Sequence, residues 1–227
     1  MASQAGDTPF WESPEAVKRF ANRDPDVRLL GLLDEYVEPG RVRIVDLGCA
    51  AGRNTVVLAE RGFDVLAVDT SVAMVERTRQ RVGAILGGPE AERRVVGGSM
   101  DELGFLSDGS VDLVVALGVL HQAGSRIKWQ RAVTEIGRAL RDGGLLLSAV
   151  WSPRSRPDGQ PLQEVADEEH VYIGFHSGRH FLLEADDLDS EMAQHGLMVA
   201  APTEVVEVDT ETGLRVTING LYRRDYS

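Results

Sequence analysis

Five short apolar runs alternate with helical segments between residues 42 and 150, and this alternation constrains the fold more than any other property of the chain. The runs are 42–47, 64–68, 94–96, 111–117 and 145–150, several of them almost continuous Val, Leu and Ile. A strand apolar on both faces belongs in a parallel sheet covered by helices on both sides. The helical stretches between them read as Asn54–Glu60, Val72–Leu86 and Ile127–Leu140. Arg61-Gly62 and Gly87-Gly88-Pro89 supply the stops for the first two. Downstream the pattern changes. Ala185–His195 reads as a helix capped by Gly196, and Leu197–Val208 and Leu214–Tyr222 read as strands joined by a turn at 209–213. So short a turn makes a hairpin, which sets one terminal strand antiparallel to the rest.

Upstream of the first strand, Ser13 can cap a helix with Pro14 at its first position, and Asp24-Pro25 restarts a second helix running through Tyr36. Residues 1–10 are small and polar and are expected to be loose. With aromatic Phe10, Trp11 and Phe20, the two helices either cover the C-terminal edge of the sheet or simply pack beside it. With no repeats or low-complexity segment, 227 residues are expected to make one domain. It divides into a helical cap (1–40), a core (41–151), an irregular insertion rich in Pro, Gly, His and aromatics (152–183) and a closing helix with hairpin (184–227).

The net charge of −12 disfavours phosphate backbones, whose recognition needs clustered Lys and Arg. No apolar run approaches the roughly 18 residues of a membrane span. The N-terminus lacks the basic start and apolar core of a signal peptide. The single cysteine, Cys49, excludes an internal disulfide and suits a reducing cytoplasm.

Chemistry concentrates in the stretch that follows the first strand. Gly48-Cys49-Ala50-Ala51-Gly52 is a tight small-residue loop between a strand and a helix, the geometry that brings backbone N–H groups up to a ligand. Asp69, at the end of the second strand, lies 21 residues beyond Gly48. That is near the spacing of about 20 at which an acid reaches a ribose hydroxyl. The dinucleotide fingerprint fails, because Ala50 and Arg53 stand where it needs glycines, and no Gly-Lys-Ser/Thr is present. A loop without lysine suits a nucleoside joined to an amino acid better than a pyrophosphate.

The ordered series Val45-Asp46-Leu47-Gly48-Cys49-Ala50-Ala51-Gly52, Val68-Asp69-Thr70-Ser71, Gly98-Ser99-Met100-Asp101, Leu117-Gly118-Val119-Leu120-His121 and Leu140-Arg141-Asp142-Gly143-Gly144 resembles the class I S-adenosylmethionine-dependent methyltransferases. The resemblance runs from about residue 42 to 150, with a weaker echo in the terminal hairpin. It implies a Rossmann-like, doubly wound, mostly parallel seven-stranded sheet with an antiparallel C-terminal hairpin strand. It further implies S-adenosyl-L-methionine as cofactor and S-adenosyl-L-homocysteine as product.

Carried over by residue, the resemblance has Asp46 accepting from the loop N–H groups, and Gly48, Cys49, Ala50 and Gly52 lining the methionine part. Asp69 takes the ribose hydroxyls, and Thr70, Ser71 and Met74 lie beside the adenine. Ser99 and Met100 meet the adenine edge, and Leu117 lies near the cofactor's amino group. Ala50 departs from the usual middle glycine and Ser99 from the usual acid. Arg53, a cation at a helix N-terminus, needs a partner: the cofactor carboxylate or an acid on the lid. The Gly52-Arg53-Asn54 form resembles the tellurite-resistance-like branch.

His121 is the candidate general base, against a packing role at the same position. Residues 170–181 form the acceptor-facing insertion, whose aromatics could sandwich a flat acceptor. His176 and His180, with Glu168 and Glu169, form at best a weak metal set because Gly178 interrupts them, so no metal is expected. The reading is a cytoplasmic methyltransferase acting on a small-molecule acceptor, with no nucleic acid or membrane partner, as a monomer or homodimer. The alternative is a non-catalytic cofactor sensor or scaffold.

Overall fold

The computed structural model describes residues 9–225. The parallel core comprises β1 (Arg43–Leu47), β2 (Asp64–Asp69), β3 (Val95–Gly97), β4 (Val111–Leu117) and β5 (Leu140–Trp151). Its helices are α1 (Pro14–Ala21), α2 (Val27–Leu33), α3 (Arg53–Glu60), α4 (Val72–Leu86), α5 (Gly88–Arg94) and α6 (Arg126–Ala139). Beyond the core lie four short strands, β6 (Arg156–Pro157), β7 (Gln163–Glu164), β8 (Val171–Phe175) and β9 (Gly178–Phe181). The chain closes with α7 (Ala185–Gln194) and the hairpin β10 (Leu197–Thr210) and β11 (Gly213–Arg224).

The main sheet has the order β10-β11-β5-β4-β1-β2-β3, with β6 paired to β11. Strands β1 to β5 pair in parallel, and β11 runs antiparallel between β5 and β10. The expected mostly parallel seven-stranded architecture is therefore the one observed. The crossover from β3 to β4 reverses the winding at β1, which opens a crevice beyond the C-terminal strand ends. Burial follows the sequence pattern, since Ile44, Val45, Leu113, Val114 and Val115 are fully covered. The helix α6 buries Trp129, Val133 and Ile136 on one face.

Several boundaries differ from expectation. The helix α2 stops at Leu33, and its last turn tightens into bonds from Glu35 N–H to Leu32 and Tyr36 N–H to Leu33. Gly87, at φ +88°, does end α4, but Pro89 sits at the start of a further helix, α5, where its missing N–H costs nothing. The fifth strand begins at Leu140 and reaches Trp151. About a third of the insertion is regular: β7, β8 and β9 form a small antiparallel sheet. Its strands are short and show no clean alternation, with Ile173 exposed among polar residues, so no strand pattern stands out in the sequence. Residues 1–8 of the expected loose terminus, and 226–227, lie outside the described residues.

The N-terminal segment lies against the C-terminal edge. Ser13 caps α1 as expected. The Glu12 carboxylate accepts from the N–H groups of Val72 and Ala73, both at 3.0 Å, and the Ser71 hydroxyl donates to the Trp11 carbonyl at 2.9 Å. An acid at the positive end of α4 is electrostatically favoured. Asn54 adds a second tie by accepting from Asp26 N–H at 3.0 Å.

Candidate functional site

The loop after β1 is fixed by the strand beside it. The N–H groups of Gly48 and Cys49 donate to the Val68 carbonyl, and that of Ala50 donates to Oδ2 of Asp69 at 2.8 Å. The second carboxylate oxygen of Asp69 accepts from Ser71 N–H at 2.9 Å. Burial pushes the Asp69 carboxyl up, while its bonds from Ser71, Ala50 and Thr70 hold it down. Asp69 thus joins the loop to the start of α4.

Asp46 does not hold the loop N–H groups as the resemblance implied. It is 2% exposed, and its bonding partner is the Thr55 hydroxyl at 2.5 Å, in the first turn of α3. Burial pushes its carboxyl up to about 6. The role expected of Asp46 toward the loop is filled by Asp69. Both acids lie at the ends of parallel core strands, so strand position alone does not separate them.

Close packing explains the loop's small residues. A Cβ on Gly48 (φ +71°) would stand 2.6 Å from Val119 Cβ, and one on Gly52 (φ +78°) would stand 2.9 Å from Thr78. The Thr78 hydroxyl donates to the Ala50 carbonyl at 2.7 Å, and Arg81 donates to the Ala51 carbonyl at 2.7 Å. Neither residue was singled out in the sequence, because each lies mid-helix with no motif around it. Cys49 is buried, and burial raises its thiol well above the ordinary range, so it packs as an inert thiol.

Ala50 occupies φ +46°, a left-handed conformation that disfavours a side chain by about 1 kcal/mol. Ala50→Gly is expected to be tolerated and to stabilise the fold by about 0.5 kcal/mol, after allowance for glycine's freer unfolded state. Urea unfolding measures this, and a loss of 1 kcal/mol or more would contradict it.

Arg53 finds its partner in the N-terminal segment: its guanidinium donates to the Asp24 carbonyl at 3.2 Å, a backbone oxygen rather than a carboxylate. Ser71 caps α4 through Met74 N–H, and Thr70 is exposed beside it. Met74 is fully buried in a cluster with Ala16 and Ala51, with Trp11 and Phe20 against it. Ser99 bonds to Asp101, while the Met100 side chain is buried in the main core. The side chains of Met74 and Met100 therefore serve packing first, and an adenine edge at Met100 would meet backbone. Leu117 is half-buried at the end of β4, and a Cβ built on its neighbour Gly118 would meet no atom within 4 Å. Loop, Asp69, Ser99 and Leu117 stand on adjacent strand ends in the order β3-β2-β1-β4.

On the other side of β4, His121 lies in a short 3-10 turn, 1% exposed. Its ring stacks on Trp151 with centroids 4.3 Å apart, and Trp151 stacks on Phe175 at 4.2 Å. Nδ1 of His121 accepts from Trp151 N–H at 3.4 Å. Burial, with His180 nearby, holds the ring well below the usual imidazole range, so it is neutral and its proton resides on Nε2. His176 faces Asp158 at 3.3 Å, whereas His180 is buried in the aromatic cluster, which separates the two histidines of the weak metal set. Among the described residues no group of three or more His, Cys, Asp or Glu side chains could hold a metal ion.

Known proteins with these features agree on one family. Residues 45–148, just under half the chain, match the methyltransferase domain family. A putative methyltransferase of Encephalitozoon cuniculi is 28% identical over 62% of this chain and 60% of its own length. An uncharacterized methyltransferase of Mycobacterium tuberculosis is 35% identical over 49% of this chain and 40% of its own. The chain thus spans about half the length of these curated relatives. A solved S-adenosylmethionine-dependent methyltransferase from Methanosarcina mazei superposes with a TM-score of 0.66 at 15% identity, covering 90% of this chain and all of that one, a likeness of fold. Motif order, sheet order and these relatives agree: over residues 45–148 the chain is similar to the methyltransferase domain family, and its fold is that of the S-adenosylmethionine-dependent methyltransferases.

Proposed function

We propose that the protein binds S-adenosylmethionine along the C-terminal ends of β1, β2 and β4 and transfers its methyl group to a small-molecule acceptor. The observation that carries this reading is the juxtaposition of a left-handed Gly48–Gly52 loop with the carboxylate of Asp69, which receives the Ala50 N–H at 2.8 Å. The donor set fits the group. It holds acids for ribose hydroxyls and for a cationic sulfonium, backbone close enough to lie under an amino acid, and no lysine in the loop to answer a pyrophosphate. Open space at Gly118 fits the same molecule.

When bound, S-adenosylmethionine supplies an electrophilic methyl on a sulfonium that departs as a neutral thioether. The chain's own task is then alignment and exclusion of water. Asp69 would orient the ribose, Gly48 and Ala50 would lie under the methionine part, and Ser99 with the Met100 backbone would border the adenine. His121 spends its one lone pair on Trp151 N–H, so we assign it to shaping the acceptor wall rather than to taking a proton. The charge of −12 favours a small acceptor over nucleic acid. No helix among the described residues is long and apolar enough to cross a membrane.

Titration calorimetry with S-adenosylhomocysteine, followed by a tritiated-methyl assay against mixed metabolites, tests the proposal. Micromolar binding with label transferred to a small molecule is the expected outcome. A second reading, a non-catalytic sensor, draws support from the Phe175–Trp151–His121 stack, whose rings are satisfied by one another. Tight binding with no transfer to any acceptor would favour that reading.

A further inference from the structure

Many arginines of this acidic chain are answered by acids, such as Arg28 by Asp26, Arg61 by Asp34 and Arg94 by Asp64. Four depart from that pattern and gather in one place. Among the described residues, Arg19, Arg23, Arg53 and Arg215 form no ion pair. Arg53 donates to the Asp24 carbonyl at 3.2 Å, which lays its guanidinium against the residue next to Arg23. Arg19 and Arg23 both lie over the Phe20 ring, 5.4 Å and 4.3 Å from its centroid, at the end of α1. Arg215 comes from the far side. It precedes Thr217, the partner of Trp151 at the last position of β5, so it stands beyond the C-terminal end of that strand. On β11 it shares a face with Leu221, which packs against α2 and α3. Partial burial holds the Arg23 guanidinium below the usual arginine range, and the charges that press on it further, those of Arg53, Arg19 and Arg215, are all positive.

Gathered like charges repel, and an anion set between them removes the repulsion while accepting paired N–H bonds from planar forks. The chain's own acids here are spent. Both oxygens of Asp26 are taken by Arg28, and Asp46 is buried against the Thr55 hydroxyl. The sheet order β11-β5-β4-β1 puts the end of β4, with open space at Gly118, between Arg215 and Arg53. A molecule that reaches the cluster therefore lies across the crevice. One carboxylate has only two oxygens to share among forks. A cofactor carboxylate held by Arg53, beside the loop, leaves Arg19, Arg23 and Arg215 unanswered.

We infer that the methyl acceptor carries an anionic group, a carboxylate or a phosphate, which Arg19, Arg23 and Arg215 hold at the mouth of the crevice. The inference rests on the methyl-transfer reading above and names the substrate class of that site. It is compatible with a net charge of −12. The acid excess repels anions from the rest of the surface, whereas a locally positive mouth draws them in and raises their concentration beside the crevice. An uncharged acceptor would leave the repulsion among the four guanidinium groups in place.

Calorimetry in the presence of S-adenosylhomocysteine tests this, with succinate and inorganic phosphate as probes and succinamide as the uncharged control. Succinate or phosphate should bind, the tighter of the two naming the group, and succinamide should not. Arg23 and Arg215 are exposed, so the double variant Arg23→Gln, Arg215→Gln leaves the core intact. It should weaken the bound anion about tenfold or more while S-adenosylhomocysteine affinity stays within about twofold. Label from tritiated S-adenosylmethionine incubated with mixed metabolites should run with the anionic products on an anion-exchange column, and the double variant should lose most of it. Failure of both anions to bind, equal binding of succinamide, an anion bound equally by the variant, or label confined to uncharged products would overturn the inference. So would a variant that loses S-adenosylhomocysteine but keeps methylthioadenosine, which lacks the amino-acid carboxylate, because the cluster would then serve the cofactor. Loss of S-adenosylhomocysteine binding by the parent protein, or no label transferred to any product, would instead remove the methyl-transfer reading beneath it.

Discussion

Replacing Asp69 with alanine is expected to reduce S-adenosylhomocysteine affinity by a hundredfold or more and to lower stability by about 2–3 kcal/mol. Two losses combine. The Ala50 and Ser71 N–H groups, at 2.8 Å and 2.9 Å from the two carboxylate oxygens, would lose a charged acceptor, and such bonds contribute about 1.5–3 kcal/mol each, of which water recovers part. The Ala50 backbone, held at φ +46°, would lose the bond that keeps it in a disfavoured conformation. The loop would relax just where ligand has to lie on it. Asp69→Asn is the useful contrast: it keeps one acceptor oxygen and should retain most of the stability while still losing affinity, because one ribose hydroxyl then faces an amide donor. Urea unfolding and calorimetry on both variants check this. Wild-type affinity in Asp69→Ala would show that the carboxylate serves the loop alone.

That prediction also shows how the sequence was legible and where it was not. Strand positions and their parallel pairing were readable because β1, β2 and β4 are apolar on both faces, which only a covered parallel sheet satisfies. The loop and Asp69 were readable because backbone geometry fixes their spacing along a βαβ unit. The division of labour between Asp46 and Asp69 was not, since it depends on which strand end the loop leans toward. Trp151 escaped notice for a similar reason. It closes an ordinary apolar strand, and only the fold brings it against His121 and the β8–β9 hairpin. The sequence leaves the cofactor carboxylate or an acid on the lid as partner of Arg53, whereas the contact is the Asp24 backbone carbonyl, and backbone carbonyls leave no mark in a sequence.

Asp46→Asn is expected to stabilise the free protein at neutral pH, and to do so only above about pH 4. The carboxyl sits at about 6 in the folded state against 3.8 in the unfolded chain, so the native state holds a proton that the unfolded state has already released. Stability therefore falls as pH rises through that window, and by pH 7 the buried charge costs about 3 kcal/mol, at roughly 1.4 kcal/mol per pH unit. Asparagine retains an oxygen for the Thr55 hydroxyl but brings two donors into a buried place, at a cost of about 1 kcal/mol. The net expectation is a gain of about 2 kcal/mol at pH 7 that shrinks toward zero, or slightly below it, at pH 4. Urea unfolding of both proteins at intervals between those limits measures the difference, and a difference independent of pH would show that Asp46 is not the group titrating. We propose that a charge kept at such a cost at the foot of the loop serves the cationic ligand. S-adenosylmethionine carries a sulfonium that S-adenosylhomocysteine lacks, so Asp46→Asn should weaken the former more than the latter, and calorimetry with the two compounds compares them directly.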